Sequence, residues 1–276
     1  MKQLVMDRER HIWDKLTEHY NETVSLGREV LGVFVQGSQN YNLDIYTDNY
    51  KSDIDTKAIV LPSFDDFCRG YQPLSTTHVR VNNEHIDLKD IRIMFDTFKK
   101  QNINFVEILF TDFFIAPSEY ISIIEELRGL GEELVHCHPA QTVRTMSGMS
   151  MEKRKALCHP YPTIKDKIEK YGYDGKQLHH IIRINEFIKN YISGMSFKDC
   201  LANHSPKLLE MMKKAKLNEY TLDEAIRLAD FYNEDTNNIK IAFVEQHEGE
   251  FDGKAYKKLE DIKVKVLKQW FKKQIG

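Results

Sequence analysis

Apolar positions along this chain follow two different periods. Up to about residue 115, short β-branched runs alternate with polar stretches; beyond Pro117 the apolar residues recur at helical spacing. Leu4, Ile12, Leu16 and Tyr20 fall near one stripe, which predicts a first helix from Met1 to Leu26, ended by Gly27. Leu31 to Val35 then reads as a buried strand that stops at Gly37-Ser38, where the backbone can turn tightly. Gln39 to Leu43 is expected to form one or two helical turns, with Ser38 at their N-terminus. Ala58 to Leu61 reads as a second strand, entered through Asp53-Ile54-Asp55, and SFDDFCRGYQPLSTTH as loop with one helical turn. VRVNNEHIDL, Val79 to Leu88, predicts a hairpin turning at Asn82-Asn83. Its second strand puts His85, Asp87 and Lys89 on one face and Ile86 and Leu88 on the other.

The later pattern is helical. One helix is expected from Ser118 to about Leu127, broken by Gly129 and Gly131, and a longer one from Glu132 to Ala156, interrupted near Pro139 or Gly148. Asp174 to Ile192 is the strongest helix, Ser205-Pro206 opens another, and TLDE from Thr221 is a capping box. Lys254 to Gln274 makes the last. The expected architecture is α+β: a mixed β-sheet with flanking helices over residues 1–115, then a C-terminal helical domain over residues 116–276.

Composition narrows the setting. A chain of 276 residues can bury a full core, and its hydrophobic and charged fractions are those of a globular protein. No apolar run approaches the ~20 residues that span a bilayer, and the polar start MKQLVMDRERH does not read as a signal peptide. Cys68, Cys137, Cys158 and Cys200 are widely spaced, which favours reduced thiols and a cytoplasmic setting. The formal charge of −3 gives no global case for nucleic acid, so any such binding needs a local patch.

The candidate chemistry lies in VFVQGSQNYNLDIYTDNYKSDIDTKAIVLPS, Val33 to Ser63. Backbone N–H groups at a helix N-terminus beside Gly37-Ser38 would favour phosphate. Asp53 and Asp55, two apart on a strand and so about 6–7 Å apart on one face, suit hard divalent cations completed by substrate oxygens. The ordered combination resembles the DNA polymerase β-like nucleotidyltransferase superfamily. More narrowly, GSQNYNL with SDID resembles a group of predicted bacterial and phage nucleotidyltransferases with Gly-Ser-x-x-Tyr-x-Leu and Ser-Asp-x-Asp. The interval between the two motifs is longer here than in the common pattern, with DIYTDNYK as the excess.

The resemblance implies a nucleotidyltransferase: two Mg²⁺ ions, with Mn²⁺ as a substitute, and a bound NTP, ATP being favoured. Its NMP part passes to an acceptor hydroxyl and pyrophosphate leaves. Gly37 and Ser38 would hold the β- and γ-phosphates and Asp53 and Asp55 both metals. Asp87 would be a third carboxylate, serving as general base or as a ligand of the catalytic metal. The run KDIRIMFDTFKKQNINFVEILF fits the same group, with Asn102 or Asn104 and Glu107-Ile108-Leu109 in its Asn-x-x-x-Glu-Leu/Ile-Leu segment.

In KYGYDGKQLHHIIRINEFI, Lys176, His179 or His180, and Arg183 share a helix face by spacing. The plain reading is a solvated basic face; by the resemblance these residues reach the triphosphate from the second domain. The two histidines are not both expected to point inward. Thr145 to Lys155 mixes small residues with a basic end, which suits either close helix packing or a base and ribose. Tyr41 is read as a packing residue, and Tyr46 and Tyr50 as candidates to stack on a base. His136-Cys137-His138 with Cys158-His159 offers zinc donors but lacks a knuckle spacing, so separate side chains are the better reading. Lys254, Lys257, Lys258, Lys265, Lys268 and Lys272 form a strip on the last helix that would serve an RNA acceptor, slightly favoured over a small molecule or a protein side chain. A non-catalytic nucleotide-sensing module on the same fold is the alternative; no membrane is expected as a partner.

Overall fold

The computed structural model describes residues 2–47 and 51–276. Tyr50 lies outside them. Two compact units result: residues 1–137 with 252–276, and residues 138–251. The division thus falls at 137/138 and 251/252 rather than at 115/116. The physical reason is the last helix, α13 (Gly253–Ile275), which packs with the sheet unit. Trp270 Nε1 donates to Pro62 O at 2.7 Å, Gln269 donates to Glu119 O at 3.0 Å, and Phe271 meets Phe64 edge-on and Phe67 at a tilt.

The first unit opens with α1 (Lys2–Ser25), followed by β1 (Glu29–Gln36) and β2 (Asp55–Leu61). A short α2 (Phe64–Cys68), capped by Ser63, leads to the hairpin β3 (Ser75–Val79) and β4 (His85–Asp90). Next come α3 (Ile91–Lys99), α4 (Ile103–Val106), β5 (Phe114–Ile115), α5 (Ile121–Gly129) and α6 (Gly131–His136). The five strands are ordered β3-β4-β2-β1-β5, antiparallel except for the central β2–β4 pair. The sheet is therefore mixed and the fold α+β.

Strand alternation divides the sheet into two faces. Val33, Val35, Ala58, Val60, Ile86 and Leu88 join Ile12 and Leu16 of α1 in one core, so each strand is pinned in register by its apolar side. The hairpin is also tied to α1 by charge. Arg80 reaches Glu22 at 2.7 Å and Glu84 at 2.8 Å, while buried His19 bridges Thr56 and Glu84. Burial pushes the Glu84 carboxyl up, but bonds from His19 and Asn82 bring it down to about 2. The opposite face of the sheet carries Asp55, Lys57, His85, Asp87 and Lys89.

The second unit is helical: α7 (Pro139–Ala156), α8 (Lys165–Tyr171), α9 (Gly175–Ile192), α10 (Phe197–Ala202), α11 (Pro206–Lys216) and α12 (Leu222–Gln246). The expected helix from Glu132 breaks at residues 137–138, before Pro139, and Gly148 continues it unbroken. The capping box at Thr221 is present, with Glu224 Oε2 accepting the Thr221 N–H at 2.9 Å. α9 is the central helix and packs on α7, α10, α11 and α12. Gly175 at its start admits α11: a Cβ there would stand 1.9 Å from Ala215 O.

Candidate functional site

The turn after β1 is not the short helix expected. Gly37 has φ 89° and Asn42 φ 55°. Asn40 N–H donates to Gly37 O at 3.0 Å, and Leu43 N–H to Ser38 O at 3.0 Å, closing overlapping turns. The cause is local competition by side chains. Asn40 Nδ2 donates to Val35 O at 2.9 Å while its Oδ1 accepts the Thr111 hydroxyl at 2.6 Å. Ser38 therefore has no helix dipole behind it. The Gly37 N–H points to the buried Glu107 carboxylate, 3.3 and 3.4 Å from its two oxygens. Glu107, which the sequence supplied only as part of a family pattern, thus anchors the turn.

The excess loop is clipped at both ends. Ser52 exchanges hydrogen bonds with Ile45 at 2.8 and 2.9 Å, and Tyr46 bridges to Lys51. α1 grips it through the Arg8 fork on Asp44, at 2.6 and 2.7 Å, and through Tyr46 Oη on Asp7 O at 3.2 Å. Tyr41 is buried, as a packing residue.

The carboxylates take different surroundings. Ser52 and Ile54 are buried while Asp53 is exposed and Asp55 half-buried, so the two acids share the open side. Gln39 Nε2 donates to Asp53 O at 2.8 Å and ties the acid pair to the Gly-Ser turn. Asp55 Oδ1 accepts the His85 N–H at 2.8 Å and lies 3.2 Å from His85 Nδ1. Asp87 stands beside Lys57 in the parallel β2–β4 register. Its Oδ2 is 3.0 Å from Lys57 Nζ; its Oδ1 is 3.0 Å from Lys89 Nζ and 3.3 Å from Thr77 Oγ1. Burial raises the Asp87 carboxyl, but Lys57 and Lys89 outweigh it and hold it below the usual range. Both oxygens of Asp87 thus meet ammonium or hydroxyl donors.

Among the described residues, no group of three or more His, Cys, Asp or Glu could hold a metal ion. The donor chemistry separates the acids. Asp53 and Asp55 are oxygen donors open to a hard cation and its ligands, and they fit Mg²⁺. Asp87, engaged by two lysines, does not fit as a third ligand. The sequence signal for Lys57 was the alternation itself: two residues past Asp55 on a strand, it must share that face.

In the helical unit, the face of α9 that carries His179 and Arg183 is enclosed rather than solvated. Arg183 is 2% exposed and His179 3% exposed, and the two imidazoles lie 4.7 Å apart, so both histidines turn inward. Lys176 is exposed. Among the described residues, neither ring nitrogen of His179, nor Nδ1 of His180, has a hydrogen-bond partner. Burial first, then the charges of Arg183, Lys176 and their neighbours, holds both imidazoles well below the ordinary histidine value. Lys153 of α7 is likewise lowered, by burial and by Lys176 and Arg183, although Glu152 opposes this. The unpartnered imidazole nitrogens thus lie among the positive charges of Arg183, Lys153 and Lys176, chemistry that suits an anion. Lys153 was legible only as part of the basic end of Thr145 to Lys155.

The lysine strip on α13 is partly engaged. Lys258 pairs with Glu133 and Lys265 with Glu126, both at 2.6 Å. Lys254, Lys257, Lys268 and Lys272 remain exposed along the same side.

No family model and no curated protein matches the chain. Among solved structures it is similar to a nucleotidyltransferase-like protein from Exiguobacterium sibiricum 255-15, at TM-score 0.32 and 13% identity over 94% of this chain and 91% of that chain. At that TM-score the likeness carries no argument, and function rests on the residues.

Proposed function

We propose that the protein is a Mg²⁺-dependent nucleotidyltransferase, with Mn²⁺ as a substitute, that moves the NMP part of an NTP, ATP by the family resemblance, to an acceptor hydroxyl and releases pyrophosphate. The observation that carries this reading is the open Asp53–Asp55 pair at the mouth of β2, tied through Gln39 to the Gly37-Ser38 turn. Asp53 and Asp55 would hold Mg²⁺, which supplies charge neutralisation at the transferring phosphate. Gly37, with its left-handed backbone, and Ser38 would hold the β- and γ-phosphates from the turn that Gln39 ties to Asp53. His85, through its N–H, fixes the orientation of Asp55. Taken by itself, the helical unit gathers Lys176, His179, His180 and Arg183, which the family resemblance assigns to the triphosphate, with Lys153 in a group suited to a polyphosphate. The four cysteines are free, which suits work in a reducing cytoplasm, and among the described residues no helix is long and apolar enough to cross a membrane.

RNA is the acceptor we favour, on the α13 lysines. Incubation with α-labelled ATP and separate RNA, protein and metabolite fractions is expected to label RNA. Uptake should fall steeply with salt as phosphate contacts release counterions. Replacing Lys254, Lys257 and Lys268 by Gln should weaken RNA binding and flatten that salt dependence without changing ATP affinity. A fully active triple variant, or label in the protein or metabolite fraction, would remove RNA. Binding of ATP with no label in any fraction would favour the nucleotide-sensing alternative.

A further inference from the structure

We propose that Lys57 is a resident cation of the candidate site, held by Asp87 as its positioning residue, and that the site takes one divalent cation rather than two. The inference rests on the nucleotidyl-transfer reading above and departs from the two-ion arrangement that the family resemblance implies.

Lys57 is 5% exposed, and its ammonium lies 3.0 Å from Asp87 Oδ2 and 4.2 Å from the centre of the Phe105 ring. A buried ammonium is stabilised where an anion and a polarisable surface replace its water. Asp87 and Phe105 do so here. The pairing is built into the sheet, because Lys57 and Asp87 are register partners on the parallel β2–β4 pair. The other Asp87 oxygen is taken by Lys89, which Ser75 Oγ steadies at 2.8 Å from its Nζ, and by Thr77. For Asp87 to ligate a metal it would have to release two ammonium groups, one of them buried. As it stands, Asp87 cancels part of the lysine charge and fixes its place.

Lys57 shares a sheet face with Asp55, two residues earlier on the same strand. A second metal ion in such a site serves to neutralise charge on the phosphoryl group in flight. A positive group fixed on a rigid strand can supply that field without reorganising. The pattern therefore divides the work: Asp53 and Asp55 for one hard cation, Lys57 for the second positive charge.

Metal stoichiometry tests this directly. The full chain, saturated with α,β-methylene-ATP, is dialysed against Mn²⁺, and bound Mn²⁺ is counted by electron paramagnetic resonance. One ion per chain is expected, lost in Asp53→Asn and kept in Asp87→Asn and Lys57→Met. Lys57→Met, which keeps length and apolar contact with Phe105, should slow NMP transfer by about 100-fold or more, with partial recovery in Lys57→Arg. Two ions in the wild type, with one lost in Asp87→Asn, would overturn the inference and leave nucleotidyl transfer standing. Bound Mn²⁺ that is indifferent to Asp53→Asn, or no Mn²⁺ at all, would remove both. The wild-type count decides the matter even if a variant fails to fold.

Discussion

Asp53→Asn and Asp55→Asn should each reduce NMP transfer at least about 1,000-fold, since each removes a charged oxygen donor from the proposed cation site. Their stabilities should differ, because the two acids have different neighbours. Asp53 is exposed and, among the described residues, its side chain supports no other group, so Asp53→Ala is expected to melt like the wild type. Asp55 accepts the His85 N–H at 2.8 Å and helps fix the start of β4 beside β2. Asp55→Asn retains an acceptor for that bond; Asp55→Ala leaves the N–H without it and should cost about 1 kcal/mol. Initial transfer rates and thermal melts of the four variants check both halves. Transfer near the wild-type rate in either Asn variant would sink the role of the pair.

The second large effect concerns α9. Arg183→Gln should weaken ATP binding by about 100-fold, the scale of a lost charged hydrogen-bond partner, and Lys176→Ala by about tenfold. AMP, which lacks the β- and γ-phosphates, should respond little to either. The histidines add a pH signature. His179 faces Arg183, Lys216, Lys176 and His204, and His180 faces His179, Arg183, Lys153 and Lys176; in both, burial is the largest cause of the lowered value. Below their ordinary value of 6.5, the unfolded chain binds protons that the folded chain refuses. The neutral imidazoles are therefore compatible with the fold above that pH, and stability is lost as pH falls through it. The loss should be about 1.4 kcal/mol per histidine per pH unit until the folded form also titrates. A polyphosphate bound at this cluster would raise both values and offset the loss. Denaturant unfolding at pH 7.5 and 5.5, with and without tripolyphosphate, measures this. Equal protection at both pH values, or equal effects of the variants on ATP and AMP, would return the cluster to a packing role.

The fold was legible where one physical signal dominated. Short apolar runs located β1 and β2, which are buried on both faces, and alternation located β4, which buries one face. The Asn82-Asn83 turn was legible from turn chemistry, and Asn83 does adopt φ 65°. Misreadings arose where tertiary contacts overruled a local pattern. Residues 39–43 could wind as a helix, but Asn40 is claimed by Val35 and Thr111, which no local pattern reveals. α9 carries Lys, His and Arg at amphipathic spacing, yet surrounding helices bury Arg183 instead of leaving a wet face. α13 follows the helical unit in sequence and belongs by contact to the sheet unit, through Trp270 and its lysine–glutamate pairs. At the site, the shared open side of Asp53 and Asp55 was readable from their spacing. The engagement of Asp87 was not, because the lysines that hold it come from a neighbouring strand and from its own.

The central claim, that Asp53 and Asp55 support transfer of an NMP group, is tested most directly by following which phosphorus moves. Purified protein is incubated with α-labelled and, separately, γ-labelled ATP, cellular RNA and Mg²⁺, with EDTA and Asp53→Asn as controls. The account predicts α-label in the acceptor and γ-label in released pyrophosphate, both abolished by EDTA and by Asp53→Asn. γ-Label in the acceptor, or α-label transfer that survives loss of Asp53, would contradict it.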